Sequence, residues 1–285
     1  MASQELINHL ESRADFWTSD RLASLEQRKL DELEFHNLDR KLNDPEAAAL
    51  RADTKMRENQ KWYSVDAASR DYVSNWIGTH AKGKTFLDYA CGNGGPTIFG
   101  AEQGASLAVG LDISDESIRN ARAAAVQAGV ADRCVFVQGD CEATEFPDAS
   151  FDTILCSGML HHLDLSRAYP ELARILRPGG RILAVEALAG NPLIAGYRKR
   201  TPTMRTEWEA QHILSYSDAM RAKQWFDLGD VRFWHLAVLG AVPFRNSNSF
   251  PRIRSAGNAI DRVLMATPGV RRLAWQFTFE LVRRN

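Results

Sequence analysis

The sequence predicts an α/β domain built on a largely parallel sheet, and three observations predict it. An apolar run, Phe86-Leu87, ends in Asp88 and enters a small-residue turn, Tyr89-Ala90-Cys91-Gly92-Asn93-Gly94-Gly95. A second run, Leu107-Ala108-Val109-Gly110-Leu111, ends in Asp112, twenty residues past Gly92. Across residues 61–190 short apolar runs alternate with helical patterns, as in strand-helix-strand units.

The elements follow in order. Residues 1–60 read as a helical, charge-rich extension that serves as a lid. Phe16, Trp17, Leu22 and Leu25 recur at helical spacing, as do Leu30, Leu33 and Leu38. Asn43-Asp44-Pro45 breaks the run and residues 46–56 resume it. Residues 61–190 form the sheet core, with helices over Ser117–Ala128 and Ser166–Ile175. Residues 191–230 are an insert, irregular where Asn191-Pro192 and Thr201-Pro202 restrict the backbone. Residues 231–285 complete the same domain with strands and a helical cover. Val231–Val238 reads as a strand. Trp275, Phe277, Phe279 and Leu281 alternate with Gln276, Thr278 and Glu280, a period-2 pattern that makes this the last strand.

Composition narrows the function. With 285 residues the chain is one large domain or two small ones. An apolar share of 45% and a charged share of 25% are those of a globular protein. A formal net charge of -1 creates no global field for nucleic acid or membrane. Nine arginines against two acids give residues 231–285 a charge of +7, but the arginines are scattered and no RNA-stacking platform accompanies them. The start, Met1-Ala2-Ser3-Gln4-Glu5, lacks the basic and apolar regions of a signal peptide, and no run of about 18 apolar residues is present. The cysteines, Cys91, Cys134, Cys141 and Cys156, form no C-x-x-C pair. They read as small buried residues in a reducing compartment, with no disulfide framework and no metal site. A cytoplasmic location is expected.

The turn after Asp88 carries the chemistry. Its glycines let backbone approach a ligand, and the Asp112 carboxylate can accept two hydrogen bonds from a ribose diol. A dinucleotide site wants a third glycine where Thr97 stands after Pro96. Asp88 would repel a pyrophosphate and welcome an ammonium group. The pattern therefore prefers a ligand with ribose and a cation but no phosphate, and S-adenosylmethionine fits. The bland alternative is a pair of capping acids, Asp112 and Asp140, beside an ordinary turn.

Asp88-Tyr89-Ala90-Cys91-Gly92-Asn93-Gly94 resembles the first motif of the class I S-adenosylmethionine-dependent methyltransferases. Gly110-Leu111-Asp112-Ile113-Ser114 is similar to their ribose-binding strand end, and Gln138-Gly139-Asp140-Cys141-Glu142 to their adenine-contacting segment. Phe151 to Ser157 followed by Leu160-His161-His162-Leu163 is similar to their fourth strand, and Leu176-Arg177-Pro178-Gly179-Gly180-Arg181 to the turn before the fifth. The resemblance covers residues 60–190. It implies a Rossmann-like seven-stranded mixed sheet with helices on both faces, closed by an antiparallel strand, with a helical N-terminal extension and a helical insert or cover. It implies S-adenosylmethionine as cofactor. Asp88 would face its amino group, and Ala90, Gly92, Asn93 and Gly94 would give backbone access. Asp112 and Ile113 would hold the ribose. Asp140, Cys141 and Glu142 would meet the adenine, with Ser157 at the fourth strand's end. An aromatic pair, Trp62-Tyr63, would form part of a lid, Tyr63 over the cofactor and Trp62 toward the acceptor. Packing between the N-terminal helices and the sheet explains that pair equally.

The acceptor side is read from the same resemblance. His161 and His162 follow the fourth strand at the ligand-facing edge, and His161 or His162 would act as base or orient the acceptor. Glu186 ends the fifth strand and would serve as base, bind an amine or pair with an inserted arginine. Arg198 and Arg205 stand in the insert, where Arg205 would grip an acidic acceptor. The stretch from Asn191-Pro192-Leu193 to Arg205-Thr206 resembles bacterial methyltransferases of secondary-metabolite or saccharide pathways. Glu186-Ala187-Leu188 departs from their usual Glu-Pro-Leu. The expected reaction is methyl transfer to an oxygen or nitrogen of a small molecule. Alternatives are C-methylation of a small or lipid-like acceptor, or a cofactor-binding module without catalysis. No nucleic acid and no integral membrane is expected as partner, because Ser157-Gly158-Met159 stands where a base-methylating Asn/Asp-Pro-Pro-Tyr motif would be. A homodimer is allowed for.

Overall fold

The computed structural model describes residues 4–13, 15–41, 61–201 and 206–285. The Asn43-Asp44-Pro45 break, the helix expected over residues 46–56 and Arg205 lie outside the described residues. Seven strands form one sheet: β1 (Thr85–Tyr89), β2 (Leu107–Asp112), β3 (Cys134–Gln138), β4 (Phe151–Ser157), β5 (Leu176–Ala187), β6 (Phe226–Trp234) and β7 (Gln276–Arg283). Their order is β3-β2-β1-β4-β5-β7-β6. β1 to β5 pair in parallel, and β7 runs antiparallel to both its neighbours. The order reverses between β1 and β4, which opens a crevice at the carboxyl ends of the strands.

The helices are α1 (Gln4–Ser12), α2 (Ser19–Ala23), α3 (Gln27–Arg40), α4 (Ala67–His80), α5 (Gly95–Glu102), α6 (Asp115–Gln127), α7 (Leu165–Ile175), α8 (Pro192–Arg200), α9 (Glu207–Gln211), α10 (Tyr216–Met220) and α11 (Phe250–Ala266). All five residues of β1 are buried, as a strand covered on both faces requires. Leu87 packs with Val109, Ile154 and Phe277 on one face, while Phe86 packs with Trp76, Ile118 and Leu183 on the other. Capping fixes where the covering helices begin. The Ser114 hydroxyl accepts from the Ser117 amide at 3.0 Å, and Asp164 accepts from Ser166 at 2.9 Å. Among the described residues no helix is long and apolar enough to cross a membrane.

Several boundaries depart from the sequence reading. Phe16 and Trp17 lie in the link between α1 and α2, where the Trp17 amide donates to Gln138 Oε1 at 2.8 Å. β6 runs over Phe226–Trp234, so the insert ends before residue 230 and Val231–Val238 is only half strand. The pairing register shifts between Leu228 and Val231, a bulge that breaks the period-2 signal. Gly229 sits at the bulge, where a Cβ would meet Glu280 Oε2 at 2.4 Å. His235, at φ 66°, ends the strand, and a 3-10 turn over Ala237–Phe244 follows. β7, the last strand in the chain, lies between β5 and β6, leaving β6 at the edge. The turn ahead of β5 lies inside its span: Leu176 pairs with Phe151 and Arg181 with Thr153, and the residues between bulge out.

Candidate active site

The turn after β1 is shaped by left-handed backbone. Ala90, Gly92 and Gly94 have φ of 64°, 50° and 80°. Ala90 and Gly92 line a cleft of about 800 Å³ together with Asp112, Ile113, Asp140, Cys141 and Ser157. The cleft lies in the crevice at the carboxyl ends of the strands, and it brings these seven residues together.

Three neighbours do other work. Gly94 is the cap of α5, and a Cβ there would stand 2.8 Å from both Ala121 Cβ and a Phe136 ring carbon, so this glycine permits close packing behind the cleft. Asn93 points to Asn120, whose amide is 3.3 Å away. Asp88 is 1% exposed and accepts from the Thr97 amide at 3.1 Å and the Thr97 hydroxyl at 2.9 Å. It fastens the first turn of α5 to β1 and does not line the cleft. Burial pushes its carboxyl up to about 7, against the pull of Thr97.

Asp112 is the open acid. Its Oδ2 accepts from the Gly92 amide at 2.8 Å and its Oδ1 from the Ser114 amide at 2.9 Å. Each carboxylate oxygen keeps a second lone pair, enough for a ribose diol. Asp140 accepts from the Glu142 amide at 2.8 Å and from Lys29 Nζ at 2.6 Å. Glu142 is buried behind the cleft, where Arg28 reaches both its oxygens at 2.8 and 2.9 Å and Lys29 lies at 3.0 Å. It anchors α3 instead of meeting a ligand.

Helix α3 is the feature the motifs did not reveal. Lys29, Glu32, His36 and Arg40 line the cleft from above. Their spacing of three, four and four residues puts them on one helix face, which is the signal the sequence did hold. The Arg40 guanidinium rests 3.3 Å from where a Cβ on Gly92 would sit. A glycine turn under a guanidinium, with a free-faced carboxylate at the end of β2, fits an amino-acid nucleoside: backbone and Arg40 for its carboxylate end, Asp112 for its ribose.

A second cavity, of about 1100 Å³, adjoins the cleft and shares Ser157, Gly158 and His162 with it. Trp62, Tyr63, His161, Glu186, Tyr197 and Arg198 line it, with Glu209 and Trp275. Tyr63 therefore belongs to this cavity and not to the cofactor cleft; it is half exposed and packs edge-on to Trp275. Trp62 packs edge-on to Tyr197. The Trp62 Nε1 and Tyr197 hydroxyl are buried and have no hydrogen-bond partner among the described residues.

His161 Nδ1 lies 2.7 Å from Glu186 Oε2, and the other Glu186 oxygen accepts from the amides of Met159 and Leu160 at 2.9 and 2.7 Å. Glu186 thus pairs with a histidine. Burial alone would depress the His161 imidazolium, but the Glu186 carboxylate, with Glu209, raises it above the ordinary histidine value. His161 Nε2 faces Glu209 Oε1 at 3.8 Å. His162 Nδ1 lies 2.9 Å from Glu32 Oε2. Burial would raise the Glu32 carboxyl, yet hydrogen bonds from His162, His36 and Thr206 hold it well below the usual carboxylate range.

Residues 87–184 match the family described as "Methyltransferase domain", a stretch running from β1 to β5. The 27-O-demethylrifamycin SV methyltransferase of Amycolatopsis mediterranei (strain S699) is 40% identical over 101 residues, 35% of this chain and 37% of that protein. Sterol 24-C-methyltransferase erg6 of Aspergillus fumigatus is 32% identical over 127 residues, 44% of this chain and 33% of that protein. The chain spans about a third of the length of these curated relatives. A solved structure of geranyl diphosphate methyltransferase in complex with SAM superposes with a TM-score of 0.55 at 15% identity, covering 89% of this chain and 96% of that one. The [4+2]-cyclase SpnF superposes with a TM-score of 0.53 at 19% identity, covering 75% and 80%. Both share the fold. Over residues 87–184 the chain is similar to the S-adenosylmethionine-dependent methyltransferases.

Proposed function

We propose that this chain methylates an oxygen or nitrogen of a small molecule held in the second cavity, with His161 as general base. One observation carries the reading. The His161–Glu186 pair stands in the wall of a cavity that meets the cofactor cleft at Ser157, Gly158 and His162. S-adenosylmethionine supplies an electrophilic methyl group whose departure leaves a neutral thioether, so the leaving group needs no acid. The protein's tasks are alignment and removal of the acceptor's proton.

Glu186 is acceptor-only as a carboxylate, so the Nδ1 of His161 carries the hydrogen between them. That leaves the Nε2 lone pair to take a proton from the acceptor. The Trp62 N–H and Tyr197 O–H, without partners among the described residues, suit an acceptor that offers oxygen lone pairs. Asp112 serves the ribose, and Arg40 the carboxylate end of the cofactor. Arg198 stands in the acceptor cavity and orients a polar substituent. The second reading, C-methylation of an olefin, draws support from the aromatic walls Trp62, Tyr197 and Trp275, whose faces stabilise a developing cation.

The test is methyl transfer from labelled S-adenosylmethionine to panels of alcohols, amines and olefins. His161→Ala should lower turnover of the accepted class by about 10²–10⁴ while S-adenosylhomocysteine affinity holds. Label on carbon would favour the second reading. Tight S-adenosylhomocysteine binding with no transfer to any panel would leave a binding module.

A further inference from the structure

We propose that Glu32, His36 and His162 form a binding site for a divalent transition-metal ion, with zinc the best fit. Glu32 Oε2 lies 2.9 Å from His162 Nδ1 and 3.5 Å from His36 Nε2, and the three ligand atoms all stand within 4.8 Å of one another. Ligands about 2.0–2.2 Å from a tetrahedral zinc are roughly 3.4 Å apart, so the trio needs only small side-chain adjustments to close on an ion. Two imidazoles and one carboxylate select zinc and its neighbours over magnesium or calcium, which prefer all-oxygen shells.

The supports of such a site are present. Glu32 and His36 are one turn apart on α3, and His162 is held in the 3-10 turn after β4. The second Glu32 oxygen accepts from the Thr206 hydroxyl, an outer bond that orients the carboxylate. All three residues line the cofactor cleft, and His162 also lines the acceptor cavity. Three protein ligands leave a coordination position open, as catalytic zinc sites do. A second trio, His161, His162 and Glu209, shares His162, so an ion in the first trio sits beside the acceptor wall. Bound metal would also staple α3, which carries Lys29 and Arg40 over the cleft, to the end of β4.

The site is tested on the full, tag-free chain stripped with chelator, and its readout does not pass through methyl transfer. Cobalt titration should give the visible absorption of a tetrahedral Co²⁺ site at one ion per chain, bleached by zinc. His36→Ala and Glu32→Gln should each weaken binding at least tenfold, and Glu209→Gln should leave it intact. Zinc should raise the melting temperature of the parent chain and not that of His36→Ala. His36 is partly exposed on a surface helix, so its removal spares the fold, which circular dichroism verifies. Absence of cobalt absorption, undiminished binding by a folded His36→Ala protein, or loss on Glu209→Gln would each overturn the assignment; the first two would leave these residues as a hydrogen-bonded latch.

Discussion

The Glu186 carboxylate joins His161 to the backbone of its own turn: Oε2 meets His161 Nδ1 at 2.7 Å while Oε1 holds the Met159 and Leu160 amides. One side chain thereby sets both the tautomer of His161 and the path of the loop that carries it.

The consequence for pH is direct. As the proposed base His161 would act in its neutral form, and its pKa is raised, so turnover should fall as pH drops through a value above 6.5. Glu186→Gln should move that inflection downward and slow turnover by about 100-fold, the low end of the range for positioned proton transfer. A pH–rate profile of both proteins measures it. An unmoved inflection would show that His161 is not the titrating base.

Lys29 is the tie between α3 and the cleft, at 2.6 Å from Asp140 and 3.0 Å from Glu142. Lys29→Met would leave Asp140 buried without its cation, at a cost of about 3 kcal/mol; Arg28 still serves Glu142. S-adenosylhomocysteine affinity, measured by calorimetry, should drop tenfold or more, and Lys29→Arg should recover part of it. Equal affinities in all three proteins would remove α3 from cofactor binding.

Asp112→Asn should keep the Ser114 contact through its remaining oxygen and lose the acceptor for Gly92 and for one ribose hydroxyl. S-adenosylhomocysteine binding should weaken by about 1.5–3 kcal/mol, the scale of a hydrogen bond to a charged group. Calorimetry at matched pH reads the change, and an unaltered Kd in the folded variant refutes the ribose role.

The cofactor half of the site was legible because its signals are local. Buried strands announce themselves as apolar runs, and Asp112 and Asp140 follow them directly in the chain. Asp88 was not legible in the same way. Whether it faces a ligand or Thr97 depends on how α5 packs over β1, which no local pattern encodes. The face of α3 bearing Lys29, Glu32, His36 and Arg40 has clear periodicity, but a polar helix face reads as solvated until its partner surface is known. β6 was half hidden because the bulge at Gly229 inverts the alternation midway. Tyr63 lines the second cavity and not the cofactor cleft for a related reason: its position follows from the approach of Trp275, more than two hundred residues later.

Two buried groups should oppose each other in the stability of the ligand-free protein. Asp88 has its pKa raised from 3.8 to about 7, so the folded state holds a proton there that the unfolded chain releases. Its contribution is full below 3.8 and is lost as pH rises toward 7. His235, packed against Ser69 Oγ at 2.8 Å, has its pKa lowered from 6.5 to about 4 by burial and by Arg70. Its contribution is full above 6.5 and is lost as pH falls toward 4. Between those values the two slopes have opposite signs and similar size, about 1 kcal/mol per pH unit each. Asp88→Asn keeps an acceptor for Thr97 and removes the falling slope, so its stability relative to the parent chain should rise with pH across the window. His235→Asn, tolerated at φ 66°, should show the reverse trend. Guanidinium unfolding at pH 4.5, 5.5 and 6.5 reads both differences. Parallel curves for the parent and both variants would mean that neither group changes its protonation on folding.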